Sequence, residues 1–372
     1  MGVAARVAAR IVVSVSTDGT VTARRDDETS KRGTRRVDGV DSELARVFAR
    51  WLARRTDGWT RDEIRPFGAL LHRMLFPREV WSFIDSTVAG VPDGGLVRLQ
   101  LSFPGAALSH LAALPWEYLY VPPGPGLVQN TFLATHERVL LSRHIPAVGG
   151  PMVPPEPTFR VLVVVAQPND QVDVIPEPVL AALGKLGDHS WLRVTVMTDE
   201  ATPAALLREV EQVRPHLIHF IGHGFYDERD EVGTVALVDV DGSSKMVTGD
   251  ELAGLWQRAG VPPRMVLLES CQGATAEARG TFSGTAPQLV LSGTRLVVAM
   301  QYAVTPEMAA AFSTEFYAAL AAGLPVDAAV QRGRRLVASA LTTEQDPRML
   351  GVPLVYLQND FGAVLTTSGG DA

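Results

Sequence analysis

Two short stretches constrain this chain more than any others: Leu217-Ile-His-Phe-Ile-Gly-His-Gly224 and Leu267-Leu-Glu-Ser-Cys-Gln-Gly273. Each opens as an apolar run of strand length. Each then breaks into a turn of small residues carrying one reactive side chain, His223 in the first and Cys271 in the second. In an open α/β sheet, functional groups gather beyond the carboxyl ends of the strands. If the two runs are neighbouring strands, His223 and Cys271 face one another across that edge.

The pattern around these stretches supports such a sheet. From residue 158 onward apolar runs alternate with helical segments, which implies mostly parallel strands joined by right-handed crossovers. The expected strands are Arg160–Val165, Leu192–Met197, Leu217–Ile221, Met265–Glu269, Leu296–Met300 and Leu354–Leu357. Their Val, Leu and Ile content fits burial on both faces. Helix starts are marked by Thr202-Pro203, by the capping box of Thr248 with Glu251, and by Thr305-Pro306. Thr234–Val240 followed by Asp241-Gly242 predicts a hairpin beside the histidine turn.

The first part of the chain reads differently. Residues 11–23 predict a hairpin turning at Asp18-Gly19. Arg24 to Asp38 mixes charges with almost no apolar residues and reads as a mobile loop. Asp41 to Arg54 predicts a helix with Leu44, Val47, Phe48, Trp51 and Leu52 on its apolar side, and a second helical region covers Arg61 to Val88. Leu96–Ser102 and Val139–Arg143 read as strands. Pro146 to Pro157 is crowded with Pro and Gly and reads as a linker. The expected organisation is therefore an N-terminal accessory α+β region over 1–150 and a catalytic α/β domain over 151–372.

Bulk properties exclude several function classes. The net charge of −7 gives no electrostatic footprint for nucleic acid. No apolar run is long enough to span a bilayer, and the N-terminal apolar segment is too short for a secretory signal. Cys271 is the single cysteine, so no internal disulfide framework exists and a reducing cytoplasm is the expected location. One cysteine builds no thiolate cage. His219 and His223 fall on a strand and its turn, not on one helix face, so no metal is expected. No glycine loop of the phosphate-cradling kind is present, and no cofactor is expected.

What remains is nucleophilic chemistry. A thiol attacks well only as a thiolate, and a nearby imidazole takes its proton or protonates a leaving amine. Attack on an amide creates an oxyanion that needs oriented N–H donors, and those of Gly224 and Cys271 are the candidates. Taken singly, each signal has a plainer reading. Cys271 could be a small buried hydrophobe, His223 a turn residue and His219 a packed core histidine.

Their combination resembles the CHAT family. His219-Phe-Ile-Gly-His-Gly224 and Glu269-Ser-Cys-Gln-Gly273 are similar to its His and Cys motifs. Leu114-Pro-Trp-Glu-Tyr-Leu, Arg295-Leu-Val-Val-Ala-Met-Gln-Tyr-Ala-Val and the segment from Phe316 to Gly323 are similar to its flanking elements. The resemblance spans roughly residues 95–360. It implies a caspase-like three-layer sandwich, related to caspases, metacaspases, separase and gingipains, with a six-stranded sheet flanked by helices. It also implies a cysteine endopeptidase acting on protein or peptide substrates under control of a regulatory protein partner. The rival is a caspase-like scaffold without activity. Gln301-Tyr302 stands where family members often carry Trp.

Glu269 lies two positions before Cys271, so strand alternation puts both on one face. The resemblance implies that this position lines the pocket for the residue before the cut. A carboxylate there would hold Arg or Lys, with Gln301 as a second substrate contact. The alternative is an internal salt bridge, or a hydrogen bond to the backbone beside the nucleophile.

Overall fold

In a computed structural model, the structure describes residues 6–34, 39–54, 59–146, 157–186, 191–198, 201–227, 232–260, 262–269, 284–302, 304–340 and 347–358. The chain divides into two compact units. One is Met1–Pro146 with Val337–Gly351; the other is Ala147–Leu336 with Val352–Ala372.

The first unit holds β1 (Arg6–Val15), β2 (Thr20–Arg25), β3 (Ser30–Thr34), α1 (Gly39–Arg54), α2 (Arg61–Leu75), α3 (Arg78–Gly90) and β4 (Gly95–Ser102). The single turn α4 (Ser109–Ala112), the two-residue strands β5 (Tyr120–Val121) and β6 (Thr131–Phe132), and β7 (Val139–His144) follow. Its sheet runs β3-β2-β1-β4-β7. The segment expected to be a mobile loop instead completes β2 and forms β3, which pairs with β2 from Thr20↔Thr34 to Arg24↔Ser30. The Asp27 carboxylate accepts the Thr29 N–H, and Glu28 adopts a positive φ of 65°. This local turn chemistry outweighs the polar composition.

The apolar side of α1 also differs from expectation. Phe48 stacks on Phe67 of α2 at 5.4 Å, which turns Ala45 and Leu52 inward and leaves Leu44, Val47 and Trp51 exposed. Glu117, beside the buried Trp116, grips Arg143 of β7 through both carboxylate oxygens, at 2.9 and 2.6 Å. The Tyr118 hydroxyl donates to the Arg348 carbonyl, and the Arg348 guanidinium donates to the Leu52 carbonyl. Residues 337–351 thus belong to the packing of this unit.

The second unit has six strands in one sheet: β8 (Phe159–Val165), β9 (Leu192–Met197), β10 (Leu217–Ile221), β14 (Met265–Glu269), β15 (Leu296–Met300) and β16 (Pro353–Leu357). A separate small sheet holds β11 (Gly224–Asp227), β12 (Val232–Val238) and β13 (Ser244–Thr248). Its helices are α5 (Glu177–Gly184), α6 (Pro203–Val213), α7 (Gly249–Arg258), α8 (Thr285–Leu291), α9 (Pro306–Ala321) and α10 (Val326–Ala340) as far as Leu336. The sheet order is β16-β15-β14-β10-β8-β9, parallel except for β16.

All six strands match the sequence reading to within one residue at either end. The three expected N-caps form: Thr202, Thr248 and Thr305 each accept a backbone N–H of the first helical turn. The order places the site. From β8 the chain steps outward to β9, then returns past β8 to β10 and proceeds the other way to β14 and β15. Right-handed crossovers put α5 on one face and α6, α7 and α8 on the other. The packing agrees, with α6, α7 and α8 side by side and α9 against α5. This is an α/β three-layer sandwich, and its switch in direction falls between β8 and β10.

Candidate active site

The two segments leaving the switch point meet. After β8 the chain runs through Ala166–Val174, and after β10 it turns at Gly222-His223. The Ala166 N–H donates to the Ile221 carbonyl at 3.0 Å, so the two exits start together. The β8 exit is then pinned to the hairpin of β12 and β13. Asn169 N–H donates to the Gly242 carbonyl, and Ser244 gives its N–H and its hydroxyl to the Asp170 carboxylate at 2.9 and 2.5 Å. That pinning brings the Val172 carbonyl to 2.7 Å from His223 Nε2.

A carbonyl oxygen only accepts, so Nε2 carries the proton and Nδ1 holds the lone pair of the neutral ring. Burial lowers the His223 pKa from the ordinary imidazole value, and the bond to Val172 opposes that shift. The neutral, base-competent form is therefore favoured.

The turn itself is tightly specified. A Cβ on Gly222 would meet the Phe220 ring at 2.9 Å and the Ala166 carbonyl oxygen at 3.2 Å, so a larger residue there would have to displace the buried Phe220 ring. The next glycine opens β11. Ala236 N–H donates to the His223 carbonyl, which makes Gly224↔Val235 a non-hydrogen-bonded pair. The Gly224 N–H, on an edge strand, thus points away from β12, the orientation an oxyanion donor needs.

Strand β14 lies directly beside β10, with Ile221 opposite Glu269 at the carboxyl ends. Cys271, the expected nucleophile and second oxyanion donor, lies outside the described residues. Glu269 is fully buried and turned inward. Its Oε2 sits 2.6 Å from His219 Nε2 and 3.4 Å from the Ser313 hydroxyl, and His219 Nδ1 lies 3.0 Å from the Tyr317 hydroxyl. Burial first and the Glu269 charge second raise the Tyr317 pKa well above the ordinary phenol value. Tyr317 thus keeps its proton while bonded to Nδ1, and Nε2 faces the Glu269 carboxylate. Gln301, the other expected substrate contact, is buried just beyond β15, its N–H held by the Val352 carbonyl.

Sequence reasoning did not anticipate the Val172 carbonyl, Ser313 or Tyr317. A backbone acceptor leaves no residue-type signal. Ser313 and Tyr317 do share a helical face four positions apart, and two hydroxyls amid the apolar residues of α9 are the trace that was there to read. Among the described residues, no group of three or more His, Cys, Asp or Glu is arranged to hold a metal ion. No described helix is long and apolar enough to cross a membrane.

Comparison with known proteins adds one assignment. The CHAT domain family model matches residues 65–349. The match begins inside α2, earlier than the sequence motifs suggested, and so extends well ahead of residue 151. No curated protein matches. Two crystal structures of the Saccharomyces cerevisiae separase-securin complex, at 2.6 and 3.0 Å resolution, are similar at TM-scores of 0.43 and 0.47 and 11% identity. Each alignment covers 94% of this chain and 30% of the matched one.

Proposed function

Because this chain belongs to the CHAT domain family, we propose that it is a cysteine endopeptidase of the caspase-like type, with Cys271 as nucleophile and His223 as its acid–base partner. The carrying observation is His223 at the switch point of the sheet, with its tautomer set by the Val172 carbonyl. In this reading the region over 151–372 carries the chemistry and the region over 1–150 is accessory.

The chemistry follows from the residues. His223 Nδ1 takes the Cys271 thiol proton, the resulting thiolate attacks the carbonyl carbon of a peptide bond, and the electron pair of that C=O moves to oxygen. The Gly224 and Cys271 N–H groups stabilise the oxyanion. Collapse expels the amine, which takes a proton from the imidazolium of His223, and leaves a thioester on Cys271. Water, deprotonated by His223, attacks the thioester, releases the new carboxylate and restores the thiol. A protein or peptide is the substrate, and the family resemblance implies a regulatory protein partner.

A preference for Arg or Lys before the cut requires the Glu269 carboxylate to reach the substrate. Its bond to His219 holds that group inside, so side-chain preference is read from peptides and not assumed. The test of the activity is incubation with candidate protein substrates and with a thiol-reactive peptide probe, wild type beside Cys271→Ala. Processing and labelling by wild type alone support the enzyme. Equal outcomes in both proteins leave a caspase-like scaffold.

A further inference from the structure

Glu269 is tied to β10 twice. Its backbone carbonyl accepts the N–H of Gly222 at 3.1 Å, immediately before His223. Its carboxylate receives the Nε2 proton of His219 at 2.6 Å, four residues before His223. Both bonds cross between neighbouring strands, in their carboxyl-terminal halves. The side-chain bond is backed from the helix layer, because Tyr317 and Ser313 of α9 supply hydroxyls to the same pair. His219, Glu269, Ser313 and Tyr317 all have zero fractional exposure.

Such a network is a poor way to stabilise a core. A buried charged or strongly polar cluster gives no more than an apolar one of equal volume, and often less. Its distinctive property is direction. The Tyr317 hydroxyl bonds His219 Nδ1, His219 N–H points at Glu269, and the carboxylate also accepts from the Ser313 hydroxyl, so its orientation is set from two sides. An apolar contact between β10 and β14 has no such direction.

We propose that Glu269, His219 and Tyr317 form a positioning chain that fixes the end of β14 against the end of β10. On this assignment Glu269 acts inward on geometry, and not outward on the substrate side chain. The proposal rests on the reading of Cys271, two residues beyond Glu269, as the nucleophile partnered by His223.

The experiment uses the full chain and three variants: Tyr317→Phe, Glu269→Gln and Cys271→Ala. Two readouts are taken. The first is kcat and KM on matched peptides with Arg, Leu or Asp before the cut. The second is the pH profile of iodoacetamide alkylation, which reports Cys271 alone because it is the only cysteine, with Cys271→Ala as blank. Tyr317→Phe keeps the ring and its packing and removes one hydrogen bond. It is expected to lower kcat about three- to tenfold with KM within about twofold, and to move the alkylation profile toward that of an unassisted thiol. Glu269→Gln is expected to lower kcat for all three peptides alike.

An alkylation profile and kcat unchanged in folded Tyr317→Phe overturn the positioning chain. A tenfold or larger loss in Glu269→Gln confined to the Arg peptide overturns it as well, and returns Glu269 to the pocket. If wild type cleaves nothing yet Tyr317→Phe still shifts the alkylation profile, the peptidase reading fails and the positioning chain stands. Should Glu269→Gln not fold, Tyr317→Phe decides the question alone.

Discussion

His223 Nε2 lies 2.7 Å from the carbonyl oxygen of Val172, a residue held on a different strand exit 51 positions earlier in the chain. The bond fixes which nitrogen of the imidazole carries the proton, and it depends on a loop rather than on a neighbouring acid.

The first expected outcome concerns pH. Burial lowers the His223 pKa, so the neutral ring persists below the ordinary 6.5. The acid limb of kcat/KM for peptide cleavage should have its midpoint below 6.5. The same shift bears on stability. The unfolded chain takes up this proton near 6.5 while the fold resists it, so stability is lost as pH falls through and below that value. A kcat/KM profile with its acid midpoint clearly above 6.5 would show that His223 is not the base.

The second concerns the loop that carries Val172. Asp170 accepts two hydrogen bonds from Ser244, and this anchors the β8 exit to the hairpin. Asp170→Ala should lower kcat/KM about three- to tenfold, the effect of losing roughly 1 kcal/mol of a charge-assisted contact. Global stability measured by urea unfolding should change by less than about 1 kcal/mol, because Asp170 is exposed. An unchanged kcat/KM would mean that the loop holds Val172 without this latch.

The third lies in the first unit. His72 packs edge-on against Trp81 at 4.5 Å, and its Nε2 has no partner among the described residues. Burial pushes its pKa down to about 4. Protonation between pH 6.5 and 4 should therefore remove up to about 3 kcal/mol of stability, fully present above 6.5 and lost as pH falls. Urea unfolding at pH 7 and pH 4.5 tests this. His72→Phe should lose less between the two than wild type does, and parallel losses would assign the acid sensitivity elsewhere.

The fourth concerns Glu117 and Arg143, which have side-chain exposures of 1% and 5%. Arg143 also donates to the carbonyls of Ala112 and Leu114, so it is fixed in place. Glu117→Ala leaves a buried guanidinium without its counterion and should destabilise by about 3–5 kcal/mol. Replacing both residues by apolar ones should recover part of that loss. A loss below about 1 kcal/mol for Glu117→Ala would indicate that water reaches Arg143.

Much of the fold was legible because its signals are local. A Val/Leu/Ile run such as Leu217–Ile221 is strand-like wherever it lies, and Thr248 with Glu251 caps a helix through residues three apart. Strand β3 was missed because its residues, Ser30 to Thr34, carry almost no apolar signal and are ordered by pairing with β2. The inward turn of α1 depends on one ring stack with α2, which no helical period encodes. At the site, His223 was visible as a reactive residue on a strand-end turn. The engagement of Glu269 with His219 was not, because it depends on the register of β10 with β14 and on a helix 44 to 48 positions further along the chain.

Residues 337–351 rejoin the first unit after the chain has built most of the second, and Arg348 is stitched there to both Tyr118 and Leu52. Neither unit is a contiguous piece of sequence. Truncation at one point near residue 147 would leave two incomplete bodies, the first lacking the Arg348 contacts. Limited proteolysis there should leave fragments that stay associated until denatured. In inheritance the same holds: a single crossover cannot exchange one unit for a relative's, since two breakpoints must move together.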